Sequence, residues 1–339
     1  MTEPRIRVAL IGAGTMANTY HYPSLASFPD VDLVAICDLV EEKARQTAAR
    51  FGIPADRVYR DYRQMVAEVQ PGAVYVLMPP QHLYEPVHHL LEQGCHLFIE
   101  KPLALTLTQA RMLSYTAEQH GCLTMVGFQR RFIPAMTTLR ERVESRGPIH
   151  SATVDFLKNT GDLTKPAGFY DGAIDPLTSD GIHAIDTLRW LCGGEVEAVH
   201  VEGRRRYVPG PAANAFSALV SFSTGAVGGM QYNTVTGRRI FRAEFHSPNA
   251  TASVDADRDS LFVADGGEPD IQPSAAFARA VVTPEEELAP RHWLGFWHEN
   301  RHFIDRVTAG LLPSSHFGDA VKSMELAERI LLAARDERG

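Results

Sequence analysis

Between residues 6 and 128 short β-branched runs alternate with helical segments at a regular beat, and few architectures can accommodate that beat. Strands are expected at Ile6–Ile11, Asp32–Cys37, Ala73–Met78, Cys95–Glu100 and Leu123–Phe128. Helices are expected between them at Thr15–Phe28 (interrupted at Pro23), Val40–Phe51, Asp61–Val69, Leu83–Gln93 and Leu105–His120. Gly94 and Gly121 fall just past two helix ends, where a left-handed cap is wanted. Strands joined through helices pair in parallel, so this half reads as α/β, a doubly wound parallel sheet covered on both faces.

After Gly127 the beat changes. Phe132–Glu144 reads as a linking helix and Gly147-Pro148 as a turn. Closely spaced strands follow at Ile149–Phe156, Val196–Tyr207, Ala215–Ser221, Gly225–Asn233, Ile240–His246 and Ala250–Asp255. Strands this close must pair largely antiparallel, because a parallel crossover needs a dozen or more residues. Pro176–Leu191 interrupts them as a helix, and Arg291–Thr308 and Asp319–Arg335 close the chain. The expected division is residues 1–128 as a dinucleotide-binding domain of Rossmann type and 129–339 as an α+β domain on an open, mainly antiparallel sheet, its terminal helix able to pack back on the first. Lys158–Asp175, rich in glycine and acid, is a candidate lid in which Tyr170 and Asp171 could meet hydroxyls, while Gly266 to Pro273 reads as surface loop.

Charge narrows the function classes. Arginine and lysine total 33 against 41 acids, a net charge of −8, so nothing draws nucleic acid, and Arg204-Arg205-Arg206 reads as a solvated strand end. The amino terminus is not a secretory signal, and no run approaches the roughly 18 apolar residues a bilayer demands. Cys37, Cys95, Cys122 and Cys192 are scattered, as reduced core thiols of a cytoplasmic protein would be, and the Asn249-Ala250-Thr251 sequon then has no meaning.

Gly12-Ala13-Gly14-Thr15-Met16-Ala17 follows a strand and opens a helix. Gly12 permits the tight turn, Gly14 lets backbone approach a pyrophosphate, and small Ala17 allows close helix packing, with the helix amides and dipole facing the phosphates. Asp38 ends the second strand near the expected offset of about 20 residues, where a carboxylate accepts both ribose hydroxyls and repels a 2′-phosphate. Leu39 follows, with no arginine to welcome that phosphate, so NAD is favoured over NADP. Glu100-Lys101-Pro102 stands at the carboxyl end of a later strand, the edge at which open α/β sheets bind ligands. A lysine there can stabilise negative charge on a substrate oxygen.

Other candidates carry less. His298-Glu299-Asn300-Arg301-His302 has zinc-protease spacing, but Phe296, Phe303, Ile304 and Val307 make it an ordinary amphipathic helix with polar histidines, and no metal is expected. His88 and His89 read as surface residues. Tyr20, His21 and Tyr22 either reach the ligand cleft or pack as helix aromatics. Arg130 and Arg131 stand past a strand end, with Arg130 the better candidate for holding substrate.

In order and spacing, Ile11-Gly12-Ala13-Gly14, Asp38, Met78-Pro79-Pro80-Gln81-His82, Glu100-Lys101-Pro102-Leu103, Val126-Gly127-Phe128-Gln129-Arg130-Arg131-Phe132 and Gly181-Ile182-His183-Ala184-Ile185-Asp186 resemble the glucose-fructose oxidoreductase / inositol dehydrogenase / rhizopine-catabolism (Gfo/Idh/MocA) family. The resemblance implies NAD(P)-dependent hydride exchange with a carbinol or carbonyl carbon of a sugar, cyclitol or related polyol. Lys101 would polarise the oxygen and His183 act as acid or base. It implies cofactor contacts from Gly12, Gly14, Thr15, Met16, Asp38, Met78, Pro79, His82, Glu100, Lys101 and Gln129. Substrate contacts would come from Lys101, Arg130, Ser179, Asp180 and His183. It also implies a homodimer or homotetramer built through the second sheet, with no membrane partner.

One departure stands out. The family helix reads Asp-x-Gly-x-His, and here Ser179 holds the acid's place while Asp180 follows it. On an α-helix Ser179 would share a face with His183 and Asp180 would be rotated aside. Asp180 either compensates as a catalytic acid or merely favours the helix start. Asp186, one turn on, could orient His183, shape the pocket or lie on the surface. The altered acid keeps open two other readings of the same fold, a non-catalytic nucleotide- or sugar-sensing regulator and an NAD-dependent glycosidase.

Overall fold

A computed structural model describes residues 5–165, 174–210, 212–257, 260–265, 270–272, 278–279 and 287–336. The chain forms two compact units, one of Met1–Gln129 with Phe296–Val321, the other of Arg130–Gly295 with Lys322–Gly339.

The first unit holds a six-stranded, wholly parallel sheet in the order β3-β2-β1-β4-β5-β6. Its strands are β1 (Ile6–Ile11), β2 (Val31–Cys37), β3 (Val58–Tyr59), β4 (Ala73–Val76), β5 (Leu97–Glu100) and β6 (Thr124–Gly127). The helices between them are α1 (Tyr22–Ala26), α2 (Glu41–Phe51), α3 (Tyr62–Val69), α4 (Tyr84–Glu92) and α5 (Leu107–Gln119). The central strands are apolar on both faces, as a sheet covered on both sides requires: Val8, Ala9, Leu10 and Ala73 to Val76 are wholly buried. Local chemistry sets the helix ends. Glu41 and Glu42 sit in the first turn of α2 and Gly52 closes it at φ 73°, while Asp61 and Thr106 accept backbone N–H groups at the starts of α3 and α5.

The structure departs from expectation at three places in this unit. β3, two residues long, has no periodicity to find, and β4 stops at Val76 rather than Met78. The helix after β1 is not broken at Pro23: a π turn at Ala17–His21 runs straight into α1, and Pro23 falls in the first turn of α1.

The second unit opens with α6 (Pro134–Glu144) and β7 (Ser151–Asn159). A π turn at Leu177–Gly181 leads into α7 (Ile182–Cys192). There follow β8 (Val196–Arg204), β9 (Ala215–Phe222), β10 (Val227–Asn233), β11 (Val235–Ser247), β12 (Ala250–Asp255), β13 (Ser260–Ala264) and β14 (Asp270–Gln272). The sheet runs β14-β13-β12-β11-β7-β10-β9-β8. All its pairs are antiparallel except β7 with β10. The short-loop rule constrains only strands adjacent in sequence, and β7 and β10 are separated by α7, β8 and β9, ample chain for a parallel crossover. β11 is longer than expected, and Asp270–Gln272 pairs with β13 where surface loop was expected. α7 packs against β7 and β10. Burial alternates along β9 and β12, so one face of the sheet is covered and the other open.

The chain then supplies α8 (Phe296–Thr308), which belongs to the first unit, and ends in α9 (Phe317–Asp336). Among the described residues no helix is long and apolar enough to cross a membrane. All four cysteines are buried and free, and burial pushes the Cys37 and Cys192 thiols up to about 12, which leaves them inert near neutrality.

One polar lock ties α7 into the second unit. Arg131 grips Asp186 through two hydrogen bonds, Nε to Oδ2 at 2.7 Å and Nη2 to Oδ1 at 2.5 Å, with side chains only 5% and 1% exposed. Ser323 Oγ donates to the same carboxylate and accepts from Arg189. Asp186 is therefore neither a surface acid nor a pocket wall. Asp186→Ala would strand a buried guanidinium and should destabilise the chain by about 3–5 kcal/mol, whereas a well-packed apolar Arg131→Met/Asp186→Leu pair should cost far less. Urea denaturation of both variants checks the contrast.

Candidate functional site

The first unit gathers its candidate residues along the carboxyl edge of the parallel sheet. Gly12 N donates to Cys37 O and Leu77 N to Ile11 O, both at 2.8 Å, so pairing continues one residue past the end of β1 toward β2 and one residue past the end of β4 toward β1. Gly12 sits at φ 111°, and a Cβ built on it would lie 2.2 Å from the Leu77 carbonyl oxygen. Gly14 has nothing within 4 Å of the same position, which leaves its backbone open to a ligand. The first helical bond is Asn18 N to Gly14 O at 3.0 Å, so the amides of Thr15, Met16 and Ala17 precede any i−4 partner. Asn18 Nδ2 also donates to Ala13 O and braces the loop.

Asp38 closes this turn from the neighbouring strand. Its Oδ2 accepts the Ala13 amide at 2.7 Å and its Oδ1 the Val40 amide at 2.8 Å, and each oxygen keeps a lone pair for a further donor. Met16, an expected cofactor contact, and Leu39 and Val40, which follow Asp38, expose 43%, 79% and 48% of their surface, and the motif reading did not single out Val40. Along the edge, Met78 is half-buried and Pro79 exposed, and His82 lies exposed in the 3-10 turn Pro80–His82 that leads into α4. Gln129 is buried just past β6.

Lys101, half-buried, follows the end of β5, and its bond to Pro102 is cis. Glu100 turns its carboxylate inward. Oε2 accepts the Lys101 amide at 3.2 Å, and Oε1 meets His21 Nε2 at 2.9 Å. His21 and Tyr22 are wholly buried, with the Tyr22 hydroxyl donating to Gly12 O, and Tyr20 stacks on Phe296 at 4.0 Å. Of the two roles open to these residues, packing within the unit is the one observed. His21 Nδ1 meets Asn300 Oδ1 at 3.2 Å. Glu299, next to Asn300 on α8, is wholly buried, and burial together with the Glu100 charge holds its carboxyl well above the usual range. The polar-surface reading of this helix therefore fails for Glu299 and Asn300, which point into the unit.

In the second unit the π turn alters the expected helix geometry. An extra residue per turn removes the 3.6-residue registry on which the Ser179–His183 face argument depended. Ser179 Oγ donates back to Asp175 O at 2.8 Å. Asp180 pairs with Lys158 Nζ, from the end of β7, rather than serving only the helix start. Lys158 was the residue that sequence reasoning missed, because a lone lysine closing a strand carries no motif. His183 is buried with its ring edge-on to Phe156 at 5.8 Å. Tyr232 lies in the same layer, its hydroxyl pushed well up by burial and by the Asp180 and Asp175 charges. Arg130 is 2% exposed, its guanidinium 4.4 Å from the centre of the Phe241 ring. Tyr170 and Asp171 lie outside the described residues.

Comparison with known proteins adds an independent line. Residues 6–128 match the family described as "Oxidoreductase family, NAD-binding Rossmann fold", and residues 136–253 match the "GFO/IDH/MocA C-terminal domain". The D-glucoside 3-dehydrogenase of Escherichia coli (strain K12) is 33% identical over 198 residues, 57% of this chain and 56% of that protein. The scyllo-inositol 2-dehydrogenase (NAD(+)) of Bacillus subtilis (strain 168) is 29% identical over 206 residues, 60% and 58% of the two chains. The match thus spans less than two thirds of the length of these relatives. A levoglucosan dehydrogenase solved with NADH shares the fold over 98% of both chains, with a TM-score of 0.83 and 22% identity.

Gly12→Ala tests the turn. It combines overpacking, about 1–3 kcal/mol, with a side chain at positive φ, about 1–2 kcal/mol, so thermal or urea unfolding should register a loss of roughly 2–5 kcal/mol. Gly14→Ala, with open space around it, should leave stability within about 1 kcal/mol of the parent.

Proposed function

The chain belongs to the Gfo/Idh/MocA oxidoreductase family, and on that premise we propose that it transfers a hydride between NAD and a carbinol or carbonyl carbon of a sugar, cyclitol or related polyol. The observation that carries this reading is the anchored carboxylate of Asp38 beside the open Gly14 turn, on the same sheet edge as Lys101. The nicotinamide, when bound, supplies the hydride acceptor or donor.

The residues of this chain do the rest. The turn from Gly12 to Ala17, with Thr15 and Met16 opening the helix, receives the pyrophosphate. Asp38 offers its remaining lone pairs to the ribose and repels a 2′-phosphate, which favours NAD over NADP. Met78, Pro79, His82, Glu100 and Gln129 complete the cofactor edge. Lys101 donates to the substrate oxygen and stabilises the charge that develops there. His183 takes or returns the hydroxyl proton, work that suits an imidazole near neutral pH, with Ser179 and Asp180 beside it in sequence and Asp180 held by Lys158. Arg130, just past the end of β6, is the further candidate for holding substrate.

On this reading residues 1–128 bind nucleotide and 129–339 bind substrate and assemble the oligomer, except that α8 belongs with the first unit. The open face of the second sheet, where Leu219 and Val227 are 49% and 41% exposed, suits a homodimer or homotetramer contact. Four buried free thiols suit a cytoplasmic setting. The regulator and glycosidase readings have no comparable support.

Two variants test this. With a sugar or inositol identified by NADH absorbance across a polyol panel, Lys101→Ala should lower kcat by about 10²–10³-fold while NAD⁺ still binds, and undiminished turnover would contradict the role. Asp38→Ala should weaken NAD⁺ binding by about 10–100-fold and abolish its advantage over NADP⁺ in calorimetry. Equal affinities in the parent chain would contradict the cofactor preference.

A further inference from the structure

Behind the strand end that carries Lys101 lies a second cluster of titratable side chains. It draws His21 from the π turn after β1, Glu100 from the end of β5 and Glu299 from α8. One ligand atom of each lies within 4.8 Å of the others. His21 and Glu299 are wholly buried, and the Glu100 side chain is 16% exposed. Both carboxylate oxygens of Glu299 are buried without a hydrogen-bond partner. The rings of Phe98, Phe296 and Tyr75 pack round the imidazole at 5.2, 5.9 and 6.2 Å, so water cannot freely compensate a charge there.

The hydrogen bonds fix which way the imidazole faces. Asn300 Nδ2 donates to Phe296 O at 2.6 Å, which sets the amide so that Oδ1 is the atom presented to His21. His21 Nδ1 must therefore carry a hydrogen and donate it, which leaves Nε2 as the atom that meets the Glu100 carboxylate, through a proton or through another positive centre. A ring nitrogen 2.9 Å from one carboxylate, with a second, unpartnered and buried carboxylate within 4.8 Å, calls for a positive centre among them. An outer carbonyl that holds the far imidazole N–H is also the usual support of a metal-bound histidine.

We propose that His21 Nε2, Glu100 and Glu299 form a binding site for one divalent transition-metal ion of the zinc type, with Asn300 orienting the imidazole from behind. Mixed imidazole and carboxylate donors suit that class. Two carboxylates with a neutral imidazole carry two negative charges, which such an ion cancels. Ligands bonded at about 2.0–2.2 Å to a tetrahedral ion stand roughly 3.3–3.6 Å apart. The His21–Glu100 contact would open slightly and Glu299 would close in, linking helix, strand and α8. The competing occupant is a pair of protons, one between His21 and Glu100 and one on Glu299. The site is distinct from the His298/His302 pair that the zinc-protease spacing singled out, although it borrows the glutamate of that motif.

The full chain, stripped with chelator and dialysed against Zn²⁺, decides between them by metal analysis and thermal unfolding, without recourse to activity. The expected result is about one tightly held Zn²⁺ per chain and a raised Tm. Glu299→Gln should bind about 100-fold more weakly or worse and lose the Tm response, while His298→Gln/His302→Gln keeps both. Absence of stoichiometric zinc in the parent chain, or undiminished binding by Glu299→Gln, overturns the proposal in favour of protons. Should Glu299→Gln fail to fold, Co²⁺ titration of the parent decides alone: ligand-field bands saturating at about one equivalent support the site, and their absence overturns it.

Discussion

Between β1 and β4 the backbone has no room for a Cβ. The Leu77 carbonyl closes on Gly12 so tightly that any side chain would collide with it, while Leu77 N still reaches back to Ile11 O. In the order β3-β2-β1-β4-β5-β6 this is the place where successive strands change direction across the sheet, the crevice that open α/β sheets use for ligands. The remaining features of the first unit follow from it. The glycine turn must sit there, the helix after it must start with its amides free, and Asp38 must come from β2 to hold Ala13. Lys101 then falls two strands away on the same edge.

What could be read from the sequence was whatever is local. Strand periodicity, the glycine turn, Asp38 and Glu100-Lys101 each depend on residues close in the chain, and the structure has strands and turn where the pattern put them. The two-residue β3 and the three-residue β14 lacked enough length to show a period. The parallel β7–β10 pair and the two π turns depend on long-range packing and on single-residue shifts of register, neither of which leaves a compositional trace. The buried polar contacts were least legible. Arg131 meets Asp186 across 55 residues and His21 meets Asn300 across 279, and no spacing rule links such positions.

Those contacts also share an energetic character. A buried ion pair adds little over a well-packed apolar replacement, yet breaking it from one side is costly. The second unit keeps one such pair near α7, Arg131–Asp186, one turn beyond His183, and a part-buried pair, Lys158–Asp180, where the π turn enters the helix. Their effect is to fix the rotation and depth of the segment that presents His183. The departure from the family's Asp-x-Gly-x-His pattern is thus accompanied by a charged pair that holds Asp180 in place while Ser179 bonds to its own helix backbone.

Hydride transfer itself is the claim on which the functional account depends. Incubating the chain with NAD⁺ and a panel of hexoses and inositols deuterated at each carbinol carbon, then examining the recovered nicotinamide by NMR, tests it directly. The account predicts deuterium at nicotinamide C4, delivered from one specific carbinol position and not exchanged with solvent. Reduced nicotinamide carrying no deuterium, or none formed with any member of the panel, would contradict it.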